Sequence, residues 1–254
     1  MSQRIILITG ASGGIAQEII KRLPAEDGLV LLGRNKAKLE ELYRHTANKN
    51  CIEIDISDPT AIQKVVNQII LQYGKIDVLI NNAGFGEFKE FDQFDDHSIS
   101  KMFDVNTVAT IHFSRLVGKQ MKLQQKGHII NIASMAGLIA SPKSSIYSAT
   151  KFAVIGFSNA LRLELADHHV KVTTVNPGPI KTNFFDKADP SGDYLKSVEK
   201  YALEPNDVAQ KIVKIIGKNK RELNLPFSLA FASKMYNLFP KIADFLARKV
   251  FNFK

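Results

Sequence analysis

Short, nearly continuous apolar runs recur along the chain, at residues 4–9 (RIILIT), 29–32, 52–56, 76–80, 128–133 and 170–175. Runs of this length suit strands buried on both faces. Between them the apolar positions fall at helical spacing: residues 15–23, a face carrying Leu39 and Leu42, a stripe of Ile62, Val65, Val66, Ile69 and Ile70, a long helix over residues 99–125, and another from about 147 to 167. Asp58 or Ser57 caps the third helix, and Pro59 suits its first turn. Six strand–helix alternations predict a single α/β domain built on a doubly wound parallel sheet. The helix after Tyr147 is apolar almost all round (Phe152, Val154, Ile155, Phe157, Leu161, Leu163, Leu165), which predicts burial on two sides, by the sheet and by a second subunit.

The pattern changes near residue 226. Residues 229–253 read as two helical pieces broken at Pro240; in the second, Ile242, Phe245, Leu246, Val250 and Phe253 share one spacing while Lys241, Arg248, Lys249 and Lys254 take other positions. The chain is therefore divided into an α/β domain, residues 1–225, and a basic amphipathic helical extension, residues 226–254. No run approaches the ~20 apolar residues a bilayer span needs. The extension is expected either to touch a membrane surface through residues 241–254 or to pack over the substrate mouth or a partner subunit.

Charge sharpens this division. The chain of 254 residues has 34 basic and 25 acidic side chains, net +9, and its last 44 residues hold ten Lys or Arg against only Glu222 and Asp244. A nearly neutral body does not imply binding along a nucleic acid. Nearly half the residues are hydrophobic, enough for one sizeable core. The lone Cys51 has no internal disulfide partner and reads as a small buried strand residue; with a first strand starting at residue 4, a cytoplasmic setting is expected. His168 and His169 have no ligand pattern around them, so no metal is proposed.

Candidate chemistry gathers at the ends of the strands. Gly10, Ser12, Gly13, Gly14 and Ile15 form a glycine-rich turn between the first strand and first helix, where free N–H groups and a helix N-terminus cradle a pyrophosphate. The spacing is G-x-x-x-G-x-A, with Ala16 where a third glycine is often found. The second strand ends at Gly33, Arg34 and Asn35; an acidic residue there would bond a free 2′-hydroxyl, whereas the Arg34 fork suits a 2′-phosphate and favours NADP over NAD. Asp55 and Ile56 end the third strand, with Asp55 expected over an adenine. Asn82, Ala83 and Gly84 end the fourth, small enough for a close backbone approach. Pro177, Gly178, Ile180 and Thr182 follow the sixth, in a turn stiffened by proline.

Tyr147 and Lys151 stand four apart, so on a helix they share a face. A phenol with a pKa near ~10 is a poor base at neutral pH, and a neighbouring ammonium favours its phenolate. Ser134 follows the fifth strand, where its hydroxyl would orient a substrate oxygen. Asn106 lies in mid-helix, a position that asparagine occupies poorly without a reason. The loop at residues 85–96 holds Phe85, Phe88, Phe91 and Phe94, of which one or two are expected to line a pocket.

In order, T-G-A-S-G-G-I-A, N-N-A-G, the mid-helix Asn, the Ser, Y-S-A-T-K and N-P-G-P-I-K-T resemble the short-chain dehydrogenase/reductase family over residues 4 to about 225. The resemblance implies a Rossmann-type fold and a catalytic tetrad of Asn106, Ser134, Tyr147 and Lys151, with Tyr147 and Lys151 also meeting the cofactor. It implies hydride transfer between nicotinamide and a carbonyl or secondary alcohol, with Ser134 polarising the oxygen, Tyr147 supplying the proton and Asn106 extending a relay through a water. Phe85, Met135, Ile139, Phe184 and Phe185 would then surround an apolar small molecule, in a homodimer or homotetramer. Two other readings are carried: a non-catalytic NADP(H)-sensing regulator, and a membrane-surface reductase of lipid carbonyls. The tail departs from the family pattern, which leaves the substrate mouth open.

Overall fold

The computed structural model describes residues 3–189, 192, 196 and 199–250. Seven strands form one all-parallel sheet: β1 (Ile5–Ile8), β2 (Gly28–Gly33), β3 (Lys49–Glu53), β4 (Val78–Asn81), β5 (Gly127–Ile132), β6 (Val170–Pro177) and β7 (Glu222–Leu225), in the order β3-β2-β1-β4-β5-β6-β7. The order reverses between β1 and β4, the switch point at which open α/β sheets bind ligands. β7 is the strand the sequence pattern did not reveal. It has one buried residue, Leu225, so it lacks the continuous apolar run that marks the other strands. β3 also lies earlier than expected, which leaves Asp55 and Ile56 beyond the strand.

The alternation of side chains sends each central strand into two cores. Ile6, Ile8, Leu31, Ile80 and Ile130 pack beneath α1 (Gly14–Ile20), α2 (Lys36–Leu42) and α8 (Pro205–Ile215). Leu7, Val30, Leu79, Ile129 and Val172 face α3 (Pro59–Tyr73), α5 (Ala109–Gln124) and α6 (Ser145–Glu164). Both faces being covered is what a parallel sheet requires. Asp58 caps α3 by accepting from Thr60 N–H, with Pro59 in the first turn. Cys51 is buried on β3, and burial pushes its thiol up to about 11.

A chain of buried polar side chains pins the middle of the second face. Asn81 on β4 donates to Asn131 on β5 and to Ser114 on α5; Asn131 donates in turn to Ser158 on α6, at 2.8 to 3.0 Å.

The long helix expected over residues 99–125 is interrupted. α4 (Asp96–Phe103) and α5 are joined by a turn of π-helix, Asp104–Val108, where Ala109 N–H donates to Asp104 O five residues back. The outer face of α6 is open in the single chain: Phe152 is 46 % and Leu163 75 % exposed, beside exposed Gly156 and Ala160. After the short α7 (Phe184–Ala188), the tail forms α9 (Phe227–Leu238) and α10 (Pro240–Val250), with the break before Pro240. Of the tail's stripe, Phe253 lies outside the described residues, as does Lys254. Among the described residues no helix is long and apolar enough to cross a membrane.

Candidate active site

At the carboxyl edge of the sheet the strand ends surround a cleft of about 1790 Å³. Simple ligand pockets span roughly 300–1,000 Å³, so this one has room for two molecules side by side.

Its floor begins at the glycine-rich turn. Gly10 has φ +63° and packs on Ala83, whose Cα would lie 2.7 Å from any Cβ at residue 10, so both backbone and space demand glycine. Gly13 N–H donates to Gly10 O at 3.0 Å, closing the turn, and Ala11 N–H donates to Leu32 O. Thr9 Oγ1 accepts from Asn82 N–H and Ala83 N–H, and Asn82 Nδ2 donates to the carbonyls of Thr9 and Gly10. Asn82 therefore fastens the end of β4 to the turn after β1. Tyr43, the residue after α2, donates its hydroxyl to Ala11 O from a buried position, and burial raises its pKa. Nothing in the sequence pattern singled out Tyr43, because its ring belongs to the ordinary apolar spacing of that helix.

Ser12, Gly13, Gly14, Ile15, Arg34, Ile56, Asn82, Ala83 and Gly84 line the cleft on this side, and Pro177, Gly178, Ile180 and Thr182 close it from the end of β6. Arg34 is exposed, with Lys38 one turn further along the same wall. Asn35 and Asp55 are not part of the wall. Asn35 caps α2 by accepting from Lys38 N–H, and Asp55 Oδ1 accepts from the backbone and hydroxyl of Ser57, bonds that hold its carboxyl below the usual range.

The π-turn explains the asparagine in mid-helix. It presents buried Asn106 so that Oδ1 accepts from Phe85 N–H at 2.9 Å, while Nδ2 donates to Phe85 O at 2.8 Å and to Thr150 Oγ1 at 3.1 Å. Thr150 Oγ1 in turn donates to Tyr147 O. One side chain thus ties the loop after β4 to the first turns of α6, the helix that carries Tyr147 and Lys151. π-turns occur often at functional positions.

Lys151 is buried, donates from Nζ to Ile132 O at 3.1 Å and lies 5.7 Å from the centre of the Tyr147 ring. Burial brings its pKa down to about 8, which still leaves a cation at neutral pH. Ser134 Oγ accepts from Ala136 N–H at 3.1 Å and reaches Pro177 O at 3.4 Å, on the same cleft wall as Tyr147. The structure brings Ser134, Tyr147 and Lys151 to one cleft and sets Asn106 behind them.

Phe85, Met135, Ile139, Phe184 and Phe185 all line the remaining space. Phe88 belongs with them: its ring meets Tyr147 edge-on at 5.6 Å and stacks on Phe185 at 5.9 Å, and its N–H donates to Ala188 O. The wall is completed by Leu229, Met235, Tyr236, Phe239, Ile242 and Leu246 from the two tail helices.

A dinucleotide fits this construction. A Cβ on Gly84 would stand 3.2 Å from Asn106 Oδ1 and 3.3 Å from Lys151 Nζ, so glycine keeps the polar groups open to the cleft. An ammonium has three donors and Ile132 O engages one, which leaves capacity for a ribose.

A family model described as short chain dehydrogenase matches residues 4–192. The 3-ketodihydrosphingosine reductase of Bacteroides thetaiotaomicron is 30% identical over 262 residues, 97% of this chain and 94% of that protein. A short-chain dehydrogenase from Streptomyces avermitilis superimposes with a TM-score of 0.83 at 24% identity, over 98% of this chain and 97% of its own. ElxO with NADP bound gives 0.79 at 26% identity, over 88% and 97%.

Proposed function

The chain belongs to the short-chain dehydrogenase/reductase family of NAD(P)-dependent oxidoreductases, and on that premise we propose that it is an NADP-preferring enzyme acting on a carbonyl or secondary alcohol of a fairly apolar small molecule. The observation that carries this reading is the shared wall: Tyr147, Ser134 and buried Lys151 stand beside an aromatic and aliphatic lining of Phe85, Phe88, Met135, Ile139 and Phe184. Arg34, in the place of an acidic residue, supports the preference for NADP.

When bound, the nicotinamide supplies or accepts the hydride. The chain's own residues hold the cofactor, position the oxygen and move the proton. The glycine-rich turn and the α1 N-terminus receive the pyrophosphate. Ser134 Oγ donates to the substrate oxygen, and the Tyr147 hydroxyl gives or takes its proton. The Lys151 cation favours the phenolate during that exchange and bonds the nicotinamide ribose. Asn106 positions the tyrosine helix against the loop at Phe85 and extends the proton relay. The aromatic walls keep water from the reacting atoms.

The proposed working form is a homodimer or homotetramer, supported by the exposed apolar face of α6. A second reading, a lipid-carbonyl reductase at a membrane surface, is favoured by the tail's apolar side chains at the cleft and by the relative named as a 3-ketodihydrosphingosine reductase.

A panel assay of NADPH oxidation with aliphatic and aromatic carbonyls tests the reading. Tyr147→Phe is expected to lower kcat by about 10² or more with NADPH affinity nearly unchanged, while Lys151→Ala damages both. A Phe variant with parental kcat would remove Tyr147 from the chemistry, and a protein inert to the whole panel would favour the NADP(H)-sensing regulator.

A further inference from the structure

The last two helices carry more apolar surface than the cleft uses. Leu229, Met235 and Ala243 line it, whereas Phe227, Phe231 and Leu238 stand outside its wall and are 83%, 58% and 69% exposed. Phe239, Ile242 and Leu246 connect the two sets, since each lines the cleft and is still more than half exposed. Seven of the thirteen exposed large hydrophobic residues among those described fall within residues 227–246. Single exposed apolar side chains are ordinary, but a concentration of this kind marks a surface with a partner. A lid alone accounts only for the inner set.

Charge decides between two partners. A second copy meeting this surface about a two-fold axis would set Lys234, Lys241 and Arg248 against the same three cations. Within residues 227–250 the one acidic residue is Asp244, which already accepts a hydrogen bond from the Tyr236 hydroxyl at 3.2 Å within the helix pair. An anionic bilayer supplies both complements, headgroup phosphates for the cations and the acyl boundary for the rings. With 12 and 11 residues, α9 and α10 are about 18 and 17 Å long, lengths for lying in an interface rather than crossing it.

We infer that α9 and α10 dock the protein on an anionic lipid surface, with the mouth of the cleft at Phe239, Ile242 and Leu246 opening toward the bilayer. That a lipid carbonyl then enters the cleft from that surface rests on the reductase reading above; the docking does not.

Sedimentation with sucrose-loaded vesicles, in the absence of NADPH and carbonyl, reads the docking alone. Phosphatidylcholine vesicles containing about a third phosphatidylglycerol should carry the full-length protein down at low salt. Pure phosphatidylcholine, high salt, or the double substitution Phe227→Ser/Phe231→Ser should each lower the bound fraction by about fivefold or more. The two phenylalanines are outside the cleft wall, so the double variant should keep parental NADPH affinity and thermal unfolding, which separates lost docking from lost folding. Equal sedimentation with and without anionic lipid would overturn the inference. So would lipid-free self-association that the same double variant abolishes, because that assigns the surface to a second copy. Docking without turnover of any carbonyl would instead retain the surface and remove the redox reading.

Discussion

Arg34 and Lys38 are exposed on one wall of the cleft, one helical turn apart, with no acidic residue between Gly33 and Lys38 to meet a free 2′-hydroxyl. Charge-assisted bonds to a phosphate contribute about 1.5–3 kcal/mol, so NADPH should bind about ten- to a hundredfold more tightly than NADH. Arg34→Asp is expected to reverse that order in a fluorescence titration; equal affinities for the two cofactors in the parent protein would remove the assignment. Arg34 was singled out from sequence because it follows a strand end where an open α/β fold meets the adenosine ribose. Asn35 and Asp55 also have local partners that the sequence reading did not foresee: asparagine and aspartate bond their own backbone a few residues on, and here the helix cap at Lys38 and the turn at Ser57 engage them. Type and position in the chain do not separate a ligand contact from a local cap.

Among the elements, β5, β6 and the approach to β7 depend on one histidine. His128 Nδ1 accepts from Gly217 N–H, so Nε2 carries the proton that is shared with Thr173 Oγ1, and that hydroxyl donates to Lys220 O. Burial, with Lys171 adding to it, lowers the His128 pKa to about 4. Because the folded value lies below the unfolded ~6.5, the unfolded chain binds more protons between them, and stability falls as pH drops through that window. Between pH 7 and 5 the loss from this residue should be about 2 kcal/mol. His128→Gln keeps a donor and an acceptor without titrating, so urea unfolding at the two pH values should show a smaller loss in the variant; equal losses would exclude His128 as the origin. The strands with continuous apolar runs were legible, and so were the helices with a clear stripe. β7 was not, since it adds at the edge with a single buried residue, and the π-turn was not, since one extra residue in a helix barely disturbs its apolar spacing.

For the whole molecule, the open face of α6 is the place to look for self-association. Gly156 has no atom within 4 Å of where a Cβ would stand, so Gly156→Arg has room in the single chain and improves helix propensity. If a second copy packs there, the variant should run as a single chain of 28.3 kDa by light scattering while its thermal unfolding remains cooperative. A parent protein already at that mass, or a variant that assembles as the parent does, would assign the face to solvent. The buried amides of Asn81 and Asn131 bear on a different property, the route by which the chain reaches this form. β4 and β5 pair in parallel across a crossover that includes α4 and α5, a contact between segments distant in sequence and so one that is slow to find. A slip of one residue between the two strands would leave one of these amides on the opposite face of the sheet, away from its serine. The wrong pairing would bury donors without acceptors, at about 1–3 kcal/mol for each group. Asn81 and Asn131 therefore serve as a proofreading device for strand alignment, since only the native register lets both amides reach their serines.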